Sequence, residues 1–87
     1  MNDFHLILSY YWFDMIEQGR KNWEYRRKEY WLKRMKNWIG SEEDRFIVFH
    51  RGYTNQTMRF KVGEVNIGDQ IEIHLKERVD KRGEKST

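Results

Sequence analysis

Three ionisable residues at close spacing, Lys21, Glu24 and Arg26, are the part of this sequence best suited to chemistry. A lysine ammonium can bind a phosphate or serve as a general acid or base, and an arginine offers a planar fork that fits a phosphate or a carboxylate. Glu24 and Arg26 stand two apart, so on an extended strand they share one face and can pair, which would leave Lys21 for a ligand phosphate. The alternative is a structural ion pair beside a solvated lysine.

The three residues belong to a strongly cationic segment. The whole chain of 87 residues has a formal net charge of only +3. Residues 20–36 hold eight Lys and Arg against two Glu, which gives this segment a local net charge of +6. Such a segment attracts phosphates, although a solvated helix face would have the same composition.

Aromatic residues alternate with these cations and make up 16% of the chain. Exposed rings beside Lys and Arg commonly hold unstacked bases, and Tyr10, Tyr25 and Tyr30 are the best candidates because each hydroxyl can stay in water. Helical spacing places Trp31, Met35 and Trp38 in the core instead. The candidate ligand-binding residues are Arg20, Lys21, Trp23, Tyr25, Arg26, Arg27, Lys28, Tyr30, Tyr10 and Arg51. Arg51, with Tyr53 and Arg59, would form an opposite rim, or all three are solvated loop residues.

The sequence lacks the residues that several classes of protein function require. With no Cys, there can be no disulfide, thiolate catalysis or Cys-based zinc site. His5, His50 and His74 lack metal-ligand spacing, although their positions at strand ends could bring two of them together. Because of this spacing we expect no metal. No glycine motif that binds phosphates or dinucleotides is present, so we also expect no cofactor. The sequence has no signal-peptide pattern and no membrane-length apolar run, so we expect a soluble cytoplasmic protein.

The elements that must position these residues can be read from the hydrophobic pattern. Ser9 is expected to cap the first helix, Gly19 to end it in a left-handed conformation, and a change of parity after Gly63 to mark a β-bulge. The predicted strands are 4–8, 21–27, 45–50, 57–67 with the bulge, and 70–75, and the predicted helices are 10–18 and 28–39. This order, β-α-β-α-β-β-β, predicts an α+β fold, a small mixed β-barrel of about five strands with two helices. A single domain would cover 1–78, followed by a charged, frayed tail at 79–87.

The run Gly19-x-Lys21-x-x-Glu24-x-Arg26, preceded by Leu6–Ser9 and by Tyr11-x-Phe13-Asp14-x-Ile16, resembles the ASCH domain (activating signal cointegrator homology) of the PUA-like superfamily. The resemblance implies a PUA-like barrel with a cleft over this segment and a role in RNA binding. Some members of the family look like hydrolases of acetylated cytidine, and others look like ribonucleases. In the hydrolase branch a Thr follows the signature Lys by three positions, and a later Glu completes the set. Glu24 replaces that Thr here, and Glu64 or Glu72 would be the later carboxylate.

Three functions remain open at this point. We expect first a binding module for RNA, for single-stranded nucleic acid or for a modified nucleoside. The second is a hydrolase with Lys21 and Glu24 as catalytic residues. The third is a protein-interaction domain that uses the aromatic surplus. The sequence leaves the oligomeric state open.

Overall fold

Five strands and two helices follow one another in the predicted order in a computed structural model that describes residues 2–80. The elements are β1 (Asp3–Leu8), α1 (Tyr10–Glu17), β2 (Trp23–Arg27), α2 (Lys28–Ile39), β3 (Phe46–Arg51), β4 (Thr57–Ile67) and β5 (Gln70–Arg78). The α+β class and the strand and helix numbers are therefore confirmed. None of the helices in the described part of the chain is long and apolar enough to cross a membrane.

The strands form one mixed sheet in the order β1-β3-β4-β5-β2. β1 runs parallel to β3, and the other neighbours are antiparallel. The sheet curls into a half-barrel with β1 and β2 as its two edges. Edge strands carry unpaired backbone groups, and an opening lies between the two edges of this sheet.

The core lies on the concave face of the sheet, beneath the two helices. Ile71, Ile73 and Leu75 alternate inward along β5, as the period of a strand requires. Trp38 fixes the end of α2, since its indole N–H lies 3.0 Å from the carbonyl oxygens of both Asn2 and Phe46. The fully buried side chains are Phe13, Phe49, Leu6, Met35, Ile47, Met58, Ile71 and Ile73.

The local signals of the sequence are confirmed. The Ser9 hydroxyl accepts a hydrogen bond from the backbone N–H of Trp12, and Gly19 has a φ of 76° after the helix end. The β4–β5 register shifts between Lys61 and Val65, which is the predicted bulge around Gly63. An extra residue in one strand changes which face the next side chains occupy.

One expectation at the far end of the sheet is wrong. β5 continues to Arg78 rather than ending at 75, because its pairing with β4 extends to Phe60–Arg78 and Arg78 finds a carboxylate partner in Asp80. Ile67 is 46% exposed, since it lies at the tip of the β4–β5 hairpin. In the predicted tail, the Val79 N–H donates to the Arg59 carbonyl, and residues 81–87 lie outside the described part.

Candidate functional site

A cleft of about 700 Å³ lies between the two edge strands, at the start of α1. We call it the edge cleft. It brings together the end of β1, the first turn of α1 and the segment that leads into β2. Its lining residues are Ile7, Leu8, Ser9, Trp12, Lys21, Glu24, Tyr25 and Arg26. The first four of these residues lie before or within the first turn of α1 and the last four follow that helix, and the fold brings the two groups together.

Lys21 lies in this cleft between two aromatic rings. Its Nζ is 4.7 Å from the ring centroid of Trp12 and 5.2 Å from that of Tyr25. The same Nζ is 3.6 Å from Oε1 of Glu24. The left-handed turn at Gly19 redirects the chain so that Lys21 reaches back toward α1. Lys21 therefore shares Glu24 with Arg26 instead of being left free for a ligand by that pair, and its side chain lines a concavity.

Glu24 and Arg26 pair as the strand period predicts. Nε of Arg26 donates to Oε2 of Glu24 over 2.8 Å, and Glu24 is only 5% exposed. Both side chains point to the concave face, since they lie opposite Ile73 and Ile71 of β5 in the register. Glu24 therefore contacts two cations, so the floor of the edge cleft keeps an excess of positive charge.

The free end of the Arg26 guanidinium points out of this pair. Nε is the only nitrogen of Arg26 that donates a hydrogen bond within residues 2–80, so its two Nη nitrogens have no partner there. Its Cζ lies 5.1 Å from the ring centroid of Trp31, which supports the guanidinium as a cation–π partner. Arg26 is thus held in position while its phosphate-binding edge stays available.

A second, smaller depression adjoins the edge cleft. It has a volume of about 390 Å³, and we call it the side depression. Tyr25 and Arg26 line both cavities and so form the wall between them. The remaining lining residues of the side depression are Arg27, Tyr30 and Trp31. Arg27 is exposed and forms no ion pair with any residue of the described part.

Five of the predicted ligand-binding residues line neither cavity: Trp23, Arg20, Lys28, Tyr10 and Arg51. Trp23 occupies the convex face of β2, where its ring centroid lies 4.8 Å from that of His74 in β5. Arg20 is exposed and lines neither cavity. Lys28 lines a separate groove of about 720 Å³ beside α2, together with Lys33 and Lys36.

The predicted opposite rim also lies apart from the edge cleft. Arg51 donates from Nε and Nη2 to the two carboxylate oxygens of Asp14, over 2.9 and 3.0 Å, and its Cζ lies 4.3 Å from the Tyr10 ring centroid. This hydrogen bond from Arg51 lowers the pKa of Asp14, and the same contact raises the pKa of Arg51. Tyr10 and Arg51 therefore tie α1 to the end of β3, and neither lines the edge cleft. Tyr53 is exposed, and Arg59 pairs with Asp3.

Trp12, the aromatic residue closest to Lys21, was not among the predicted ligand-binding residues. A usable signal was present, because Trp12 falls outside the buried pair Phe13 and Ile16 on a helix of eight residues. It is 45% exposed, and it follows the capping Ser9 by three positions, so it faces the mouth of the opening. Ile7, Leu8 and Ser9 were assigned to the strand and the cap without a role in the cleft.

Two of the three histidines lie close together, which their positions at strand ends had suggested as a possibility. Nδ1 of His5 lies 2.9 Å from Nε2 of His50, on neighbouring parallel strands. Within residues 2–80 no group of three His, Asp or Glu side chains is placed to hold a metal ion.

The chain was compared with protein-family models, with curated proteins and with solved structures, and no match was found in any of the three.

Proposed function

We propose that this chain is an ASCH-like module that binds RNA, single-stranded nucleic acid or a modified nucleoside in the edge cleft. The observation that carries the proposal is the position of Lys21, whose ammonium lies between the rings of Trp12 and Tyr25 and above the buried Glu24. Flat rings and a cation in one concavity are the combination that holds a base and its phosphate.

The size and charge of the cleft support this proposal. Its volume of about 700 Å³ lies within the range of about 300–1,000 Å³ that is usual for small-ligand sites. Lys21 and Arg26 share one carboxylate, and Arg27 beside them has none among the described residues. Unbalanced cations at a cavity attract phosphate.

The rings that would stack on a base contact Lys21 in the unliganded chain, so a base must exchange with the ammonium. A cation–π contact at a partly exposed site contributes about 0.5–1 kcal/mol. Stacking of one base on an aromatic ring contributes about 1–3 kcal/mol. The two cation–π contacts of Lys21 together contribute about 1–2 kcal/mol, comparable with one stacked base, so the exchange costs little and releases the ammonium toward the phosphate of the same nucleotide.

An NMR titration of backbone amides and indole N–H groups tests this function. The ligands are a short single-stranded RNA and the nucleoside acetylcytidine, added separately. We expect shifts to concentrate at the Trp12 indole and at residues 21–31 of the wild-type chain. Shifts confined to the convex face, around His5 and His74, would place the binding site elsewhere. If neither ligand shifted any resonance, the chain would not bind RNA or a modified nucleoside.

A hydrolase that uses the same cleft is the second candidate, and the contact of 3.6 Å between Lys21 and Glu24 is the observation that favours it. An ammonium beside a carboxylate can act as a general acid or base. Glu64 and Glu72 line neither the edge cleft nor the side depression, so Glu24 is the one carboxylate that lines the edge cleft within residues 2–80. Chromatography of acetylcytidine and of RNA after incubation with wild-type and Lys21→Ala protein tests this candidate. Equal turnover by the two proteins would exclude Lys21 from catalysis.

A further inference from the structure

The edge cleft and the side depression share one wall, and this wall contains an arginine, the side chain best suited to recognise phosphate. Arg26 lines both cavities, and its Nη nitrogens have no hydrogen-bond partner among residues 2–80. Arg27 lines the side depression and has no carboxylate partner there. One guanidinium group thus lies at the boundary between two cavities that each contain aromatic rings, and a second lines one of these cavities.

Glu24 determines how Arg26 can be used. Glu24 engages Nε of Arg26, which leaves the terminal pair of nitrogens as the edge of the fork that has no partner among residues 2–80. The Trp31 ring supports the guanidinium at 5.1 Å and restricts its tilt. A preorganised fork of this kind binds one phosphate through two parallel hydrogen bonds at little entropic cost.

The side depression has its own ring for a base. Tyr30 lines it and is 57% exposed. Arg34 lies 5.0 Å from the Tyr30 ring centroid. This arrangement repeats the one in the edge cleft, where a cation and an exposed ring also lie side by side. A ligand with one base has no need of this second ring.

We infer that the ligand unit is a dinucleotide segment of single-stranded RNA, with one base in the edge cleft, the next base in the side depression and the phosphate that links them on Arg26 and Arg27. This inference rests on the proposed function of the edge cleft. It adds a second base subsite and a phosphate position to that function. A free modified nucleoside would fill only half of the site.

Calorimetry with three small ligands on the full chain tests the inference. The ligands are uridine 5′-monophosphate, the dinucleotide UpU, and UpU with a neutral methylphosphonate linkage. We expect UpU to bind at least about tenfold more tightly than the monophosphate, since a second stacked base is gained. We expect the neutral linkage to remove about tenfold or more of the UpU affinity, because the fork loses a charged partner.

Two variants make the test specific. In Tyr30→Ala the ratio of monophosphate to UpU dissociation constants should fall toward one. In the control Tyr53→Ala, which removes a tyrosine that is 92% exposed and lines neither cavity, this ratio should stay at the wild-type value. Tyr30 is exposed, so its removal leaves the core intact.

The outcomes separate this inference from the proposed function. Equal affinities for the monophosphate and UpU would overturn the dinucleotide unit while the edge cleft remained a nucleotide site. Undiminished binding of the neutral analogue would overturn the phosphate position. If neither these ligands nor longer single-stranded RNA bound at all, the proposed function itself would fail.

Discussion

The carboxylate of Glu24 is buried beneath the edge cleft and accepts a hydrogen bond of 2.8 Å from Nε of Arg26. This pair links stability to recognition. It satisfies a buried charge in a small half-barrel, and it also fixes the guanidinium that faces the ligand. A substitution at Glu24 is therefore expected to affect both folding and binding.

Replacing Glu24 with Ala should destabilise the chain by about 1–3 kcal/mol, because Arg26 and Lys21 would lose their shared carboxylate in a partly buried site. Glu24→Gln should cost less, since the amide oxygen can still accept from Nε of Arg26. Urea denaturation measures the loss. Glu64→Gln is the control, since Glu64 is exposed and has no ion-pair partner in the described part of the chain. A Glu24→Ala protein as stable as this control would show that the pair contributes nothing to the fold.

Binding of single-stranded RNA should weaken with salt in a defined way. If Lys21, the Arg26 and Arg27 pair, and the basic helix α2 each contact one phosphate, the logarithm of the association constant should fall against the logarithm of salt concentration with a slope of about −2. Fluorescence anisotropy across a salt series measures the slope. Lys21→Ala should reduce its magnitude by about 0.7, since one phosphate contact is lost. A slope near zero in the wild-type chain would argue against phosphate recognition.

Asp14 should titrate below an ordinary aspartate, because the hydrogen bond from Arg51 lowers its pKa from 3.8. A lowered folded-state pKa stabilises the chain at pH values above the unfolded-state pKa, and this contribution is lost as the pH falls through the folded-state pKa. Carboxyl NMR titration of Arg51→Ala should show the Asp14 pKa returning toward 3.8. An unchanged Asp14 titration in this variant would mean that Arg51 is not the cause.

Gly63 should not tolerate a side chain, since a Cβ at this position would lie 2.6 Å from Nδ1 of His74. The His74 ring cannot move away freely because it lies against Trp23. We expect Gly63→Ala to cost about 1–3 kcal/mol in thermal denaturation, the range usual for overpacking. The double variant Gly63→Ala with His74→Ala should recover most of this loss. If the double variant lost the sum of the two single effects, the close approach would not be the reason.

The sequence predicted the elements well because their signals are local. The α2 boundaries follow from the apolar stripe that includes Met35 and Trp38, and the bulge follows from the parity change after Gly63. The strand order was not accessible in this way, because the parallel pairing of β1 with β3 depends on contacts between residues more than forty positions apart. Trp12 was missed as a neighbour of Lys21 for a different reason, because the two residues are nine positions apart and meet only through the turn at Gly19.

The neighbours of each aromatic residue were the least predictable part of the site. Trp23 and Tyr25 share the convex face of β2, yet only Tyr25 lies where the strand borders both cavities. Trp23 finds His74 across the β2–β5 ladder instead. Alternation along a strand gives the face, but the neighbours on that face depend on the strand order.

Comparison of RNA affinity between two lysine variants tests the central claim most directly. Lys21→Ala removes the ammonium of the edge cleft, whereas Lys76→Ala removes one from an exposed position on β5 that lines neither cavity. Both variants change the net charge equally. We predict that Lys21→Ala weakens binding of a short single-stranded RNA by about tenfold or more, as the loss of a charged hydrogen bond requires, and that Lys76→Ala has a much smaller effect. Equal affinities of the two variants would contradict a binding site at the edge cleft.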